Sequence, residues 1–491
     1  MTDNSLTTLA NDLAVLKAAV QTDAEQIVKR WSGWIDTADF QPSAENFAHY
    51  LALRHKDLRD LQRRMMAAGL SSLGRSESRV MPTLTAVEAL LATATGKSAH
   101  PQTSADQFFA GEAQIAARAD HLLGPLSDHS GVRLMVTLPS EAADDAKFLL
   151  RLATLGVEAV RINCAHDDEA AWGRMIAHVG SAATEAGRRM KIMMDLPGPK
   201  IRTGAVHARK DGSRVMTGDE LAITLPGQLH LAPKKLPGIE CTLAEALTLS
   251  DVGHRIYVDD GKLLTKVLRR EPWGVVVRIT AGPDEKGYKL KSEKGVNFLD
   301  VDLDVPALTD DDRAILPFVA RHADGIEFSF VQSAEDVAAL QDALAAERPD
   351  DWNKIGLVLK IETQRAVRNL PDIIVRSAGR QPTGVMIARG DLAVEIGFAR
   401  LAEMQEEILW LAEAAQVPVI WATQVLESYL KTGLSSRGEM TDAAMAARAE
   451  CVMLNKGPFL FEGIELLDHL FDRMKGHVNK KAHLLRPLQS W

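Results

Sequence analysis

Residues 356–391 read GLVLKIETQRAVRNLPDIIVRSAGRQPTGVMIARGD. The stretch begins with a short apolar run, continues with a helical stretch and ends with a second apolar run. Such alternation is typical of βαβ units, in which parallel strands belong to one sheet. Each apolar run leads into charged residues, Lys360-Ile-Glu362 after the first and Arg389-Gly-Asp391 after the second. We therefore predict two parallel strands whose carboxyl ends carry polar groups.

The same alternation continues from Gly131 towards the C-terminus and predicts eight strands, the number that closes a (β/α)8 TIM barrel of the α/β class. The third and fourth strands are far apart, and short alternating strands between them predict an inserted all-β lid domain, a small β-barrel, at residues 205–303. The barrel is predicted at residues 131–204 and 304–475, with a tail at 476–491. The predicted strands are Arg133–Leu138, Glu158–Ile162, Lys191–Met194, Gly325–Ser329, Gly356–Ile361, Gly384–Ile387, Pro418–Ala422 and Cys451–Leu454.

Residues 1–130 are predicted to form a helical N-terminal domain. One helix would end at Gly69, and a second would run from about Pro82 to Ala94 with Gly96 just beyond its end. Apolar residues at roughly helical spacing in the first helix are Leu51, Leu53, Leu58, Leu61 and Met65. A basic cluster in the same region is interpreted as a solvated helix face rather than an anion site. It comprises Arg54, His55, Arg59, Arg63 and Arg64.

Composition excludes several classes of protein. The 491 residues carry a net charge of -9, which argues against general nucleic-acid binding because that function needs a basic face. The three cysteines are far apart and lack metal-ligand spacing, so we expect no disulfide framework and a reducing compartment. The N-terminus does not resemble a signal peptide, and no apolar run is long enough to span a membrane. We expect a soluble, cytoplasmic protein.

Six of the eight predicted strands end in polar or charged residues, where TIM barrels place their active sites. Lys360 and Glu362 are two apart on a strand and therefore face the same side. Glu362 and Asp391 come from adjacent strands and form a two-carboxylate site of the kind that binds Mg2+ together with waters and substrate phosphates. Arg161 and Lys360 supply positive charge for a phosphoryl group in transfer. The other strand-end groups are Asn163, His166, Asp195, Lys200, Arg202, Thr423, Gln424, Asn455 and Lys456.

Two other chemistries fit this set less well. Glycoside hydrolysis requires a carboxylate pair without such neutralising cations. A Schiff-base lysine requires a neutral amine, whereas Glu362 should keep the Lys360 ammonium protonated. The residues therefore favour metal-assisted phosphoryl transfer.

Seven motifs, in this order, resemble the pyruvate kinase family, and the resemblance covers residues 133–465. They are VRINCAHD (160–167), GPKIRTG (198–204), EKGVNFLDVDLDVPALTDDD (293–312), SFVQSAEDV (329–337), LKIETQRAV (359–367), VMIARGDLAVEI (385–396) and WATQVLESYL (421–430). The resemblance implies transfer of a phosphoryl group between phosphoenolpyruvate and ADP, giving pyruvate and ATP, with Mg2+ or Mn2+ as cofactor. It leaves open whether the chain forms a homo-oligomer.

The resemblance also implies roles for individual residues. Arg161 binds the phosphate of the enol substrate, and Lys360 stabilises the transferred phosphoryl group and the enolate. Glu362 and Asp391 ligate the divalent metal, and Thr423 orients the substrate and the water that protonates the enolate. The backbone amides of Gly390 and Asp391 lie near the substrate carboxylate. The nucleotide side consists of Asn163, His166, Arg202 and Lys294.

The sequence departs from the family's pattern in several places. Two ligands of the family's monovalent-cation site, Asn163 and Asp195, are present in this sequence. Ala165 stands where the family usually has a serine ligand. Lys200 replaces a glutamate in the neighbouring turn, so we expect an internal cation and no requirement for K+.

At the end of the eighth strand, Asn455-Lys456-Gly457-Pro458 replaces Ser-Gly-Glu-Thr. The family's C-terminal domain is also expected to be missing, and the N-terminal helical domain matches no family pattern. Two alternatives to a pyruvate kinase therefore stay open. One is a related barrel enzyme with another acceptor or a carbon–carbon reaction, and the other is a non-catalytic metabolite sensor.

Overall fold

The computed structural model describes residues 5–98, 103–127, 131–208, 214–480 and 482–483. The ends of the predicted N-terminal domain, at 1–4 and 128–130, and most of the predicted tail lie outside these residues. The strands are β1 Arg133–Thr137, β2 Ala159–Asn163, β3 Lys191–Leu196, β4 Thr203–His207, β5 Glu220–Thr224, β6 Gly238–Cys241, β7 Arg255–Val258, β8 Leu263–Glu271, β9 Gly274–Ala281, β10 Val296–Phe298, β11 Gly325–Phe328, β12 Gly356–Ile361, β13 Thr383–Ala388, β14 Val419–Ala422, β15 Cys451–Leu454, β16 Val478–Asn479 and β17 Ala482–His483.

The helices of the described residues surround the barrel and cover one of its ends, except for one short helix, at 244–248, in the inserted segment. They are α1 Leu6–Trp31, α2 Gln41–Arg54, α3 Arg59–Ala67, α4 Val80–Ala94, α5 Ala105–Leu123, α6 Ala146–Thr154, α7 Glu169–Ala186, α8 Ala244–Thr248, α9 Asp310–His322, α10 Ala334–Glu347, α11 Gln364–Ala378, α12 Arg389–Ile396, α13 Phe398–Ala414, α14 Glu427–Thr432, α15 Arg437–Ala446 and α16 Leu460–Met474.

Eight parallel strands close into a barrel in the order β1-β15-β14-β13-β12-β11-β3-β2. These strands correspond to the eight predicted ones. Nearly every barrel-strand residue is buried, as expected for parallel strands that face a packed interior on one side and helices on the other. The predicted fold class, a TIM barrel with an inserted domain and N-terminal helices, is confirmed.

A second sheet of seven strands lies between β3 and β11 in the chain, in the order β10-β7-β8-β9-β5-β6-β4. It has its own apolar core, which includes Leu221, Ile223, Val275 and Val277. We refer to this sheet as the lid. The domain boundaries given above stay a prediction.

The N-terminal helices differ from the predicted ones in two respects. The segment from Leu51 to Met65 is not one helix, because α2 ends at Arg54 and α3 begins at Arg59. Between them, the side chain of Asp57 accepts hydrogen bonds from the backbone N–H and the guanidinium of Arg59, which provides a local alternative to continuing the helix. The next helix, α4, begins at Val80 rather than at Pro82.

The N-terminal helices dock directly on the barrel. Trp31 Nε1 donates to Asp372 Oδ1 at 2.7 Å, and Ser43 Oγ donates to Gln416 Oε1 at 2.8 Å. Both barrel residues lie far along the chain from their partners. Polar contacts of this kind fix the orientation of the helical layer on the barrel.

Helix α5 supplies the floor of the barrel interior. Leu122 and Leu123, at its C-terminal end, are buried in one apolar cluster with inward-facing barrel residues such as Met193. Two strand glycines make room for this contact. A Cβ placed on Gly356 would come within 2.3 Å of Leu122 Cδ1, and one on Gly384 within 2.7 Å of Leu122 Cδ2.

This packing predicts a coupled effect of two substitutions. Gly356→Ala should destabilise the fold by about 1–3 kcal/mol through overpacking against Leu122. Leu122→Ala alone should also destabilise it, because the substitution leaves a cavity. The double variant should be more stable than the sum of the two effects predicts, since the new methyl group then occupies the space left by leucine. Urea unfolding of all four proteins measures this coupling, and strictly additive effects would contradict the contact.

Candidate active site

The carboxylate of Asp195 joins two cations at the carboxyl ends of the barrel strands. Its Oδ1 accepts a hydrogen bond from Lys360 Nζ at 2.9 Å, and its Oδ2 accepts one from Arg161 Nη2. All three side chains are buried. They come from β3, β12 and β2, so only the closed barrel brings them together. The predicted phosphate-binding pair, Arg161 and Lys360, therefore shares one buried carboxylate.

Two further residues of this cluster were missed by the sequence analysis. Glu327 Oε2 accepts from Arg161 Nε at 2.9 Å, and Ser329 Oγ accepts from Lys360 Nζ at 2.6 Å. They lie two residues apart, on and just after β11, one of the two strands whose ends were not assigned polar groups. The signal that could have revealed them is the sequence GIEFSF, in which a glutamate interrupts an apolar strand.

The charges in the cluster determine its ionisation. Burial alone would lower the pKa of Lys360, but Asp195 and Glu362 raise it, so the ammonium stays charged. Burial would raise the pKa of Asp195, but Arg161 and Lys360 hold it below its usual range. Burial raises the pKa of Glu327 to about 7 in spite of its contact with Arg161. Its second oxygen, Oε1, is buried and has no hydrogen-bond partner among the described residues.

The two predicted metal ligands lie beside this cluster. Glu362 Oε1 is 3.3 Å from Lys360 Nζ, and its Oε2 accepts from the backbone N–H of Phe330 at 2.6 Å. Asp391, in the first turn of α12, accepts from Lys200 Nζ at 2.8 Å. Burial raises the pKa of Glu362, and the charge of Asp391 adds to the shift. The two carboxylates thus influence each other across the mouth of the barrel.

The donor set fits a divalent cation that also binds substrate. In the described residues, no group of three or more His, Cys, Asp or Glu side chains is placed to hold a metal. Mg2+ typically takes one or two carboxylates and fills its other positions with waters and substrate phosphates. Glu362 and Asp391 therefore suit Mg2+ or Mn2+ when a phosphorylated ligand is present.

Thr423 lies in a strained turn after β14. Its φ is +62°, that of Gln424 is +58°, and neither is a glycine. The turn is held by Thr423 Oγ1, which accepts from the backbone N–H of Gly390 at 2.8 Å, and by Arg389, which donates to the carbonyl oxygen of Thr423 at 2.5 Å. Strain of this kind is typical of functional sites. The two hydrogen bonds bring the strand-end motifs ARGD and ATQ into direct contact.

Two cavities open on either side of the charged cluster. One, of about 250 Å3, is lined by Arg161, Asn163 and His166, together with Asn455 and Lys456. The other, of about 300 Å3, lies between β10 of the lid and the barrel. It is lined by Lys200, Phe330, Asp391 and Glu395, among others.

The four predicted nucleotide-side residues fall into two groups. Asn163 and His166 share the first cavity with Arg161. Arg202 and Lys294 line neither cavity. Arg202 donates weakly to the carbonyl oxygen of Glu293 at 3.4 Å, and Lys294 Nζ is 3.5 Å from Asp259 Oδ1. The nucleotide set stays a prediction.

Residues 131–458, which include every residue of the charged cluster, match the family described as "Pyruvate kinase, barrel domain". The chain belongs to the pyruvate kinase family. It is 33% identical over 338 residues to pyruvate kinase 2 of Trypanosoma brucei brucei, an alignment that covers 67% of this chain and 64% of that protein. It is 32% identical over 311 residues to the pyruvate kinase of Geobacillus stearothermophilus, covering 62% and 49%. It is 31% identical over 345 residues to pyruvate kinase PKLR of Homo sapiens, covering 66% and 56%.

The chain thus spans about half to two thirds of the length of these pyruvate kinases. Among the helices of the described residues, none combines the length and apolar character that crossing a bilayer requires.

The expected monovalent-cation remnant, Asn163 and Asp195 with Lys200 as an internal cation, stays a prediction. Lys200 was expected to stand in for the ion near Asn163 and Asp195. Its Nζ instead contacts Asp391 at 2.8 Å and Asp260 of the lid at 3.6 Å. The oxygens of Asp195 are taken by Arg161 and Lys360, because β2 is the neighbour of β3 in the barrel and β12 is the next strand but one.

The environment of Glu327 predicts a pH-dependent difference in stability. A carboxyl group with a folded pKa of about 7 and an ordinary value of 4.5 stabilises the fold below pH 4.5, and this contribution is lost as pH rises through about 7. Glu327→Gln should therefore become more stable relative to the wild type between pH 5 and pH 8. Urea unfolding at both pH values measures the change. Glu335→Gln, at an exposed position on α10, is the control, and an equal response of both variants would contradict the assignment.

Proposed function

We propose that the chain transfers a phosphoryl group from phosphoenolpyruvate to ADP and gives pyruvate and ATP. The observation that carries the proposal is the contact of Arg161 and Lys360 with one buried carboxylate, beside the carboxylates Glu362 and Asp391. Phosphoryl transfer depends on positioning and on neutralising negative charge, and this cluster supplies both. Membership of the pyruvate kinase family supports the same reaction.

In the proposed reaction, a β-phosphate oxygen of ADP attacks phosphorus while the bond to the enol oxygen breaks. Arg161 binds the phosphate before transfer, and the Lys360 ammonium stabilises the phosphoryl group and the negative charge left on the enolate. The backbone N–H groups of Gly390 and Asp391 lie near the substrate carboxylate in this proposal, with that of Gly390 also donating to Thr423 Oγ1. Thr423 orients the substrate and the water that protonates the enolate carbon, which gives pyruvate.

Glu362 and Asp391 would hold the divalent cation. When bound, Mg2+ or Mn2+ would neutralise charge on the phosphoryl oxygens as a Lewis acid. In the structure, Glu362 forms an ion pair with Lys360, and Asp391 accepts a hydrogen bond from Lys200. Asn163 and His166 are proposed for the nucleotide side, together with Arg202, just before β4, and Lys294, just before β10.

A second candidate is a related barrel enzyme that uses another phosphoryl acceptor. The observation that favours it is Lys456, which lines the cavity of Arg161, Asn163 and His166. An added cation there suits an acceptor with more negative charge than ADP. Pyruvate formation from phosphoenolpyruvate with ADP, compared with formation with other phosphorylated acceptors, distinguishes the two.

Lys360→Met tests the proposed reaction. The substitution removes a charge used mainly in the transition state, so kcat should fall on the order of 10²–10³-fold or more while KM for phosphoenolpyruvate changes little. The measurement is pyruvate release from phosphoenolpyruvate and ADP, coupled to a reporter enzyme. Lys354→Met, at an exposed lysine of the opposite barrel end, is the matched control. Equal turnover of Lys360→Met and the wild type would contradict the mechanism.

The second expectation is turnover without potassium. Ala165 lacks a ligand oxygen, and both oxygens of Asp195 are engaged by Arg161 and Lys360. A monovalent cation would therefore lack most of its side-chain ligands. Turnover in buffer free of sodium and potassium, at constant ionic strength, should match turnover with added KCl. Activation by K+ of about tenfold, equivalent to about 1.4 kcal/mol, would contradict this expectation.

A further inference from the structure

Lys200 ties the lid to the proposed metal ligand Asp391. Its Nζ donates to Asp391 Oδ1 at 2.8 Å and lies 3.6 Å from Asp260 Oδ1, at the tip of the hairpin between β7 and β8. Within the described part of the chain, Asp391 has no other ion-pair partner. One of the two oxygens that Asp391 could offer to a divalent cation, Oδ1, is thus bonded to an ammonium group.

The ammonium of Lys200 is a fixed positive charge. Burial would lower its pKa, but Asp391, Asp260 and Glu362 raise it. The lysine therefore lies within the field of both proposed metal ligands. A divalent cation that binds the same carboxylates meets this charge at close range, and like charges repel.

We propose that Lys200 is an internal competitor of the divalent cation. Its ammonium occupies Asp391 Oδ1 before metal binds and moves towards Asp260 when the ion enters. This inference rests on the proposed function only for the assignment of Glu362 and Asp391 as metal ligands. It gives Lys200 a role distinct from that of replacing a monovalent cation.

The local packing leaves room for this exchange of partners. The side chain of Lys200 is one quarter exposed, so one side of it is not packed. Gly295 lies against the place where Lys200 and Asp260 meet. A Cβ on Gly295 would lie 3.0 Å from Asp260 Oδ1 and 3.2 Å from Lys200 Cε, so the glycine keeps that space free. The flexible four-carbon stem of lysine allows the ammonium to move between two carboxylates.

The test is to titrate Mn2+ into the metal-free protein without substrates. The electron paramagnetic resonance signal of free Mn2+ measures how much of the ion is bound. Lys200→Met should lower the Kd for Mn2+ at least about tenfold, equivalent to about 1.4 kcal/mol. Lys200→Gln, which also removes the charge but keeps a polar end, should behave likewise. Lys200→Arg keeps the charge and should bind Mn2+ no more tightly than the wild type.

Lys262→Met is the matched control for a general change in charge. Lys262 is an exposed lysine of the same hairpin and pairs with Asp259 at 3.3 Å rather than with Asp391. Its substitution should leave the Kd for Mn2+ within about twofold of the wild-type value. That change is much smaller than the tenfold decrease in Kd expected for Lys200→Met. An unchanged or weaker affinity of both Lys200→Met and Lys200→Gln would overturn the proposal, as would equal tightening by Lys262→Met.

Failure of the metal-site assignment gives a different result. Glu362→Gln and Asp391→Asn should each weaken Mn2+ binding in the wild-type and Lys200→Met backgrounds. If neither does, the ligand assignment of the proposed function fails, and the Lys200 inference fails with it. If both weaken binding but Lys200→Met has no effect, only the role of Lys200 is overturned.

Discussion

The interaction on which the site depends is that of one buried carboxylate, Asp195, with two cations. Arg161 and Lys360 are both buried, and neither could remain charged there without a partner. Asp195 supplies that partner to both at once. Ser329 and Glu327 then complete the hydrogen bonds of the same two cations. A site built in this way has its positive charges oriented before any ligand arrives, which is the condition for electrostatic stabilisation of a transition state.

The opposite side of the site lies against the lid. Polar contacts there join Lys200 to Asp260 and Asn297 to Glu395, the latter at 3.4 Å. A Cβ on Gly261, at the tip of the lid hairpin, would lie 3.8 Å from a methyl group of Val394. Asp391, Val394 and Glu395 all belong to α12, so the lid rests on the helix that carries a proposed metal ligand. A change in lid position would therefore alter the surroundings of the Asp391 carboxylate directly.

The barrel could be predicted from the sequence because its strands are buried on both faces. Continuous apolar runs identified all eight strands, and the polar residues that end six of them include most of the charged groups. Glu327 could not be predicted in this way, since it lies inside a strand and its partner Arg161 is distant in sequence. The contact of Lys200 with Asp391 depends on how the turn after β3 folds over the barrel, which no local pattern encodes. The break between α2 and α3 was missed because the apolar spacing continues across it while Asp57 bonds to the backbone.

The docking of the N-terminal helices on the barrel has a consequence for synthesis on the ribosome. Ser43 and its partner Gln416 are 373 residues apart, and Trp31 and Asp372 are 341 apart. At roughly 5–20 residues per second, the first helices emerge about 20–75 s before the surface that covers them. Leu122 is likewise synthesised before the strand glycines Gly356 and Gly384, against which it packs. During translation the helical layer therefore remains without its partner, and the nascent chain carries an uncovered apolar face until the sixth and seventh barrel strands have left the exit tunnel.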